Sequence, residues 1–186
     1  MLSMLPLLAL LPVAARAQPS GGDIALAYCF LHDSEEAESY GRGGLISAAG
    51  RLHGWLGVAA ELSLNARTAD YSGVAGGVFD FRQESLLVGA RVSPPRPRVR
   101  PSLQLLAGAN RWRIRERGNP IGWESATHFA LQPGIGVDLF VARRAALRAG
   151  GDLRLVFKRD TRFDTAYHTE LWRFQAGVAI HLGGGP

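Results

Sequence analysis

The run Leu171-Trp-Arg-Phe-Gln-Ala-Gly-Val-Ala-Ile-His-Leu182 constrains this chain more than any other segment. Its even positions (Trp172, Phe174, Ala176, Val178, Ile180, Leu182) are all apolar. Its odd positions from 173 onward (Arg173, Gln175, Gly177, Ala179, His181) are polar, charged or small. A period of two sends the two sets to opposite faces of a strand. The apolar face must then meet either the core of a soluble sandwich or the hydrocarbon of a bilayer. The distribution of charge over the rest of the chain decides between them.

Eight segments read as strands, roughly 23–32, 44–53, 55–66, 82–93, 98–111, 127–141, 146–157 and 170–182. Each is as long as a tilted membrane strand requires. Helices are disfavoured because glycine recurs within these segments (Gly50, Gly57, Gly89, Gly108, Gly134, Gly136, Gly150, Gly151, Gly177), each costing about 1 kcal/mol relative to Ala in a helix. Short connections at 53–54, 94–97 and 142–145 alternate with long ones over about 33–43, 67–81, 112–126 and 158–169. That alternation predicts an eight-stranded antiparallel up-and-down β-barrel with both termini on one side. Pro133 would remove a ladder donor within the sixth strand, and a bulge is expected there beside Gly134.

Parity then sorts the charges. One face collects Ile24, Leu26, Leu56, Val58, Val88, Leu103, Leu139, Leu147 and their like, with Tyr28 its single ionisable group. The other holds Arg51, Glu61, Arg91, Arg100, Asp138, Arg148, Asp152, Arg154, Arg173 and His181. A sandwich core could not hold these, since each unpaired buried charge costs several kcal/mol. A barrel lumen lets them pair and keep some water, while a charge on the lipid side costs about 2–4 kcal/mol at the midplane. Cross-lumen ion pairs are expected, Glu61 with Arg51 and Arg91, and Asp138 and Asp152 with Arg148, Arg154 and Arg173. Interfacial aromatic girdles are expected from Tyr28, Phe30, Phe79, Phe81, Trp112, Phe129, Phe157, Trp172 and Phe174 at the long-loop end, and from Trp55 and Phe140 at the short-turn end.

The chain opens with an apolar run from Leu2 to Val13, followed by Ala15-Arg16-Ala17. This reads as a signal peptide over 1–17, too short to cross a bilayer as a helix. The expected organisation is then a short lead (18–22), the barrel (23–182) and a glycine-rich tail (183–186). The expected address is the outer membrane of a Gram-negative-type bacterium. A net charge of +5 alone would suit a nucleic-acid binder, but arginines dispersed through strands of an exported chain argue against one. The single Cys29 forbids an intramolecular disulfide and follows Tyr28, which does not suit a lipoprotein cleavage site.

Several segments carry a resemblance. Gly44 to Leu64 holds a strand, a short turn, then Trp55-Leu56-Gly57-Val58 and an inward Glu61. Ser85 to Arg91, Val99 to Gly108, Ala146 to Asp152 and Phe174 to Leu182 follow in the same style. Together they resemble the small OmpA/OmpX-like outer membrane protein β-barrel domain family, over essentially the whole chain beyond residue 17. The resemblance implies an eight-stranded barrel with a packed interior. Members commonly finish on an aromatic residue read by the barrel insertion machinery, whereas here Leu182 precedes Gly183-Gly184-Gly185-Pro186.

Residue patterns that carry chemistry are few. The five histidines show no metal-ligand spacing, and no nucleotide or hydrolase motif is present. Neither metal nor cofactor is expected. Some eight-stranded barrels are lipid A deacylases or acyltransferases, and His168-Thr169-Glu170 is the nearest candidate for such a site. Adjacent strand residues point to opposite faces, however, so His168 and Thr169 would not meet. The first long loop is acidic (Asp33, Glu35, Glu36, Glu38, against Arg42) and the third basic (Arg111, Arg113, Arg115, Arg117, against Glu116 and Glu124). The basic stem is expected to meet lipopolysaccharide phosphates. The leading expectation is a monomeric, non-enzymatic barrel with a structural or surface-interaction role, its partners being membrane lipid, lipopolysaccharide and the insertion machinery. The alternatives are a lipid A-modifying enzyme and a narrow, low-conductance channel.

Overall fold

The computed structural model describes residues 21–34, 38–73, 77–94, 98–118, 122–160 and 165–182. The predicted signal peptide, Glu35 and Glu36 of the first loop, and the glycine-rich tail lie outside them. Nine antiparallel strands run β1 (Gly22–Asp33), β2 (Glu38–Tyr40), β3 (Arg42–His53), β4 (Leu56–Asp70), β5 (Val78–Val92), β6 (Val99–Glu116), β7 (Glu124–Phe140), β8 (Ala145–Asp160) and β9 (Thr165–Leu182). β2 covers only the tip of β1, from Leu31↔Tyr40 to Asp33↔Glu38, while β3 pairs with β1 from Gly22↔Gly50 to Tyr28↔Gly44. β2 and β3 therefore form one stave broken at Gly41. Sequence neighbours pair in order around the sheet, and β9 returns to β1 from Gly22↔Leu182 to Asp33↔Leu171. The result is a closed barrel of eight staves.

The two faces separate as the parity requires. On the exterior Leu26 is 63% exposed and Ile135 64%, while inside Arg154 and Arg173 are 0% exposed. In water this arrangement would be inverted, with large aliphatic side chains in solvent and guanidiniums in the core. Hydrocarbon around the barrel makes it consistent, and the fold is that of a transmembrane β-barrel.

The strands run farther at the long-loop end than the alternation of apolar residues suggests. β4 continues to Asp70, β5 begins at Val78, β6 reaches Glu116 and β9 starts at Thr165. Ladder pairs such as Asp70↔Val78 and Phe79↔Glu116 persist where the outward residues have already turned polar. Backbone pairing does not depend on an apolar face, so the sheet rises beyond the apolar band.

Three further features correct or refine the sequence reading. Phe79, Phe81 and Trp112 point into the barrel, where Phe81 joins a buried cluster with Leu31, Tyr40, Leu87, Leu106 and Leu171. Phe140 is also buried, its ring 4.5 Å from that of His181. These four are core residues rather than girdle. Tyr28, Phe30, Phe129, Phe157, Trp172, Phe174 and Trp55 do face outward. At Pro133 there is no bulge: β7 and β8 pair at Leu131↔Leu155 and again at Gly134↔Asp152 in the same register, with the two intervening pairs missing. The ladder is interrupted because proline has no N–H to give.

Geometry requires glycine at several positions, among them Gly54 and Gly177. Gly54, with φ of 51°, makes the tight turn between β3 and β4. At Gly177 a Cβ would collide with the Leu26 carbonyl and with Ala27 across the closing seam.

Candidate functional site

The lumen is filled in layers. Nearest the short-turn rim, Arg148 clasps Asp138, with Nε–Oδ1 2.6 Å and Nη2–Oδ2 2.8 Å, and also meets Asp23 at 2.7 Å. Arg91 donates to the same Asp23 at 3.3 Å. Arg100 Nη1 donates to His181 Nδ1 at 3.1 Å, and its guanidinium lies 4.6 Å from the Phe140 ring centroid.

The middle layer is a second network. Arg173 holds Glu61 through two bonds of 2.5 and 2.9 Å and Asp152 through two more of 2.8 and 3.3 Å. Arg154 donates to Gln132 (2.8 Å), Asn110 (3.2 Å) and Ser63 (3.2 Å), while Gln132 donates to Glu61 at 3.2 Å. These contacts tie β4 to β7, β8 and β9 across the lumen. Ion pairs of this kind are worth having only when fully hydrogen-bonded, because removing both charges from water is itself costly. Asp138 meets Arg148 and Asp152 meets Arg173 as expected, whereas Arg154 turns to Gln132, Asn110 and Ser63 instead of either aspartate. Glu61 also differs, for it takes Arg173, with Arg154 at 3.9 Å, in place of Arg51 and Arg91.

Toward the long-loop rim the interior turns apolar, with Leu31, Tyr40, Phe81, Val156 and Leu171 buried together. Above them opens a vestibule of about 300 Å³ whose walls include Tyr40, Trp112, Tyr167, Gln83 and Lys158. It has a floor, not a throat.

Outside the barrel, above the apolar band, β5, β6 and β7 carry a different set of residues. On β6 the odd positions face out, and after Leu103, Leu105 and Ala109 the series continues as Arg111, Arg113 and Arg115. Ladder partners on β5 place Glu84 beside Arg111 and Asp80 beside Arg115. Arg113 pairs with Glu84 at 3.1 Å, Arg115 with Asp80 at 3.0 Å, and Arg117 with Asp80 at 2.8 Å. Arg111 donates to Ser125 at 3.0 Å. Trp123 lies under two guanidiniums, Arg82 and Arg115, each 4.7 Å from its ring centroid. The hydrogen bonds from Arg117 in particular hold the Asp80 carboxyl well below the usual carboxylate range. Five arginines here face two carboxylates, a surplus of three positive charges on one flank of the barrel.

The four arginines of the third loop stem are thus brought together, but Arg111, Arg113 and Arg115 stand in a strand instead of a loop. Arg82 and Trp123 belong to the same patch and were missed. Arg82 lies at an even position of β5, in phase with Leu86 and Val88, so its outward direction was readable. The acidic first loop does not form a counterpart among the described residues. Asp33 is buried, and Glu38 is engaged by Tyr71 Oη (2.8 Å) and by Arg67, which stacks 4.2 Å from the Phe81 centroid.

His168 and Glu170 face outward, 3.6 Å apart, while Thr169 is buried on the inner side. Histidine and hydroxyl are on opposite sides of the wall, so no nucleophile–base pair assembles from them. Among the described residues no group of three or more His, Cys, Asp or Glu could hold a metal ion.

No protein-family model matches the chain, and no curated protein matches it. Solved structures do. Neisserial surface protein A aligns with 86% of this chain and 95% of its own, at 20% identity and a TM-score of 0.64. OprG from Pseudomonas aeruginosa aligns over 88% and 96%, at 11% identity and a TM-score of 0.62. Ail, the attachment invasion locus protein of Yersinia pestis, aligns over 87% and 97%, at 15% identity and a TM-score of 0.51. At these identities the likeness is one of fold. It agrees with the expected small outer-membrane type of barrel, spanned end to end by this chain.

Proposed function

We propose that this protein is an integral outer-membrane barrel with a non-enzymatic role, a sealed scaffold that presents an arginine-aromatic belt to the phosphates of lipopolysaccharide. The observation that carries this reading is the position of Arg82, Arg111, Arg113 and Arg115. They stand on the outside of the wall, Arg82 and Arg115 against Trp123, directly above side chains that face hydrocarbon. A lipid embedded in that leaflet places its acyl chains against the apolar band and its head group at the belt. Guanidinium forks suit phosphate oxygens, and the acidic neighbours Asp80 and Glu84 hold the forks in place without cancelling their charge.

The structure of Ail in complex with the heparin analogue sucrose octasulfate is that of a small barrel with a polyanion, which supports a polyanionic ligand here. In this reading the chain is delivered by the barrel insertion machinery, works as a monomer, and has its short turns in the periplasm.

The test is binding of the purified barrel to lipopolysaccharide. The triple variant Arg111→Gln, Arg113→Gln, Arg115→Gln is expected to bind at least about tenfold more weakly, and wild-type affinity should fall with salt. Heat-modifiable gel migration checks that the variant is folded. Equal affinity of folded variant and wild type rules the belt out as the contact.

A further inference from the structure

The two ionic layers inside the barrel balance differently. In the middle, Glu61 and Asp152 face Arg154 and Arg173, two carboxylates for two guanidiniums. Near the short-turn rim, Arg51, Arg91, Arg100 and Arg148 gather around Asp23 and Asp138. Both carboxylates are already engaged, Asp23 by Arg148 and Arg91 and Asp138 by the fork of Arg148. His181 supplies no negative charge. Because Arg100 can only donate, Nδ1 of that ring is the acceptor, and the proton sits on Nε2, 3.3 Å from Asp138. Among the described residues the rim layer therefore carries two positive charges beyond its carboxylates.

Those charges border a cavity. Arg51, Arg91, Arg100, Asp23 and His181 line a space of about 40 Å³ that opens at the rim. Arg91 is 9% exposed, yet its Nε finds no hydrogen-bond partner among the described residues. Sheltered guanidiniums in surplus destabilise the fold unless a counter-charge joins them.

We propose that this mouth of the lumen binds one small tetrahedral oxyanion of the phosphate or sulfate type, held by Arg51, Arg91 and Arg100. The space matches roughly three waters, which is the room such an anion takes. Converging guanidiniums offer paired N–H donors that match two oxygens of one oxyanion, a bidentate fit that a single chloride ion cannot make. The site lies at the opposite end of the barrel from the outer arginine belt, so the two stand or fall separately.

The experiment titrates the whole folded barrel, in detergent at low ionic strength, with sodium phosphate or sodium sulfate, using sodium chloride at matched ionic strength as reference. Calorimetry is expected to show one saturable site of roughly millimolar affinity or tighter, with a rise in the unfolding midpoint read from unboiled gels. Arg51→Gln and Arg100→Gln should each weaken binding about tenfold. Arg51, half-buried at the rim, keeps the test available if the more buried variant fails to fold. In the triple glutamine variant of the outer belt the site should persist. Three results overturn the proposal: no response beyond that of chloride, wild-type affinity in a folded Arg51→Gln variant, or loss of the site in the outer-belt variant.

Discussion

At the scale of single residues, Arg173 grips both Glu61 and Asp152 while itself wholly buried. Arg173→Gln leaves two buried carboxylates without their cation and is expected to cost about 3–5 kcal/mol, read as a lower urea midpoint for unfolding from vesicles. Glu61→Gln should cost less, because Arg173 keeps Asp152. Asp80 gives a prediction of the opposite kind, visible in acid. Its folded-state pKa is depressed, chiefly by hydrogen bonds from Arg117. The stabilisation is therefore present above the ordinary carboxylate range and is lost as pH falls toward the folded value. Asp80→Asn should lower stability at neutral pH and leave strongly acid pH little changed, which flattens the acid limb of the unfolding curve. Neither partnership could be read from sequence. Parity told that Glu61 and Arg173 both look inward, but which inward residues share a level depends on strand tilt and register.

Among the strands, the lipid-facing sets of β1, β3, β4 and β9 were legible residue by residue, since a period of two leaves no alternative face. The upper halves of β5 and β6 were not, because their outward residues are charged there and imitate a loop. Phe79, Phe81, Trp112 and Phe140 were misplaced for a simpler reason: residue type was read in preference to parity. The gap at Pro133 makes a prediction at this scale. Pro133→Val restores an N–H toward β8 and should stabilise the barrel by roughly 0.5–1.5 kcal/mol, seen as a higher temperature for loss of heat-modifiable migration. Gly177→Val should do the reverse, forcing β9 from β1 at the seam and leaving little folded barrel on the gel.

For the whole molecule, three successive fillings of the lumen bear on transport: arginine–aspartate at one rim, the Arg154–Arg173–Glu61 network at the middle, and an apolar plug beneath the vestibule. No large, stable conductance is expected from the wild-type barrel in planar bilayers, and stepwise openings of porin size would contradict this packing. The narrow-channel alternative suggested by sequence had no way to distinguish a charged lumen that is wet from one that is stapled shut. The difference lies in distances of about 3 Å between side chains from different strands, which composition does not encode.

The seam between β1 and β9 has a consequence for biogenesis. Twelve residues of the first strand pair with the last, from Gly22↔Leu182 to Asp33↔Leu171. The hydrogen-bonding edge of β1 thus stays open while β2 to β8 are made, and it is capped only by β9, the last strand of the barrel. Folding cannot be completed piecemeal from the leading end. A premature stop would strand a sticky ribbon, so a chaperone that shields that edge in transit gains most from holding the first hairpin.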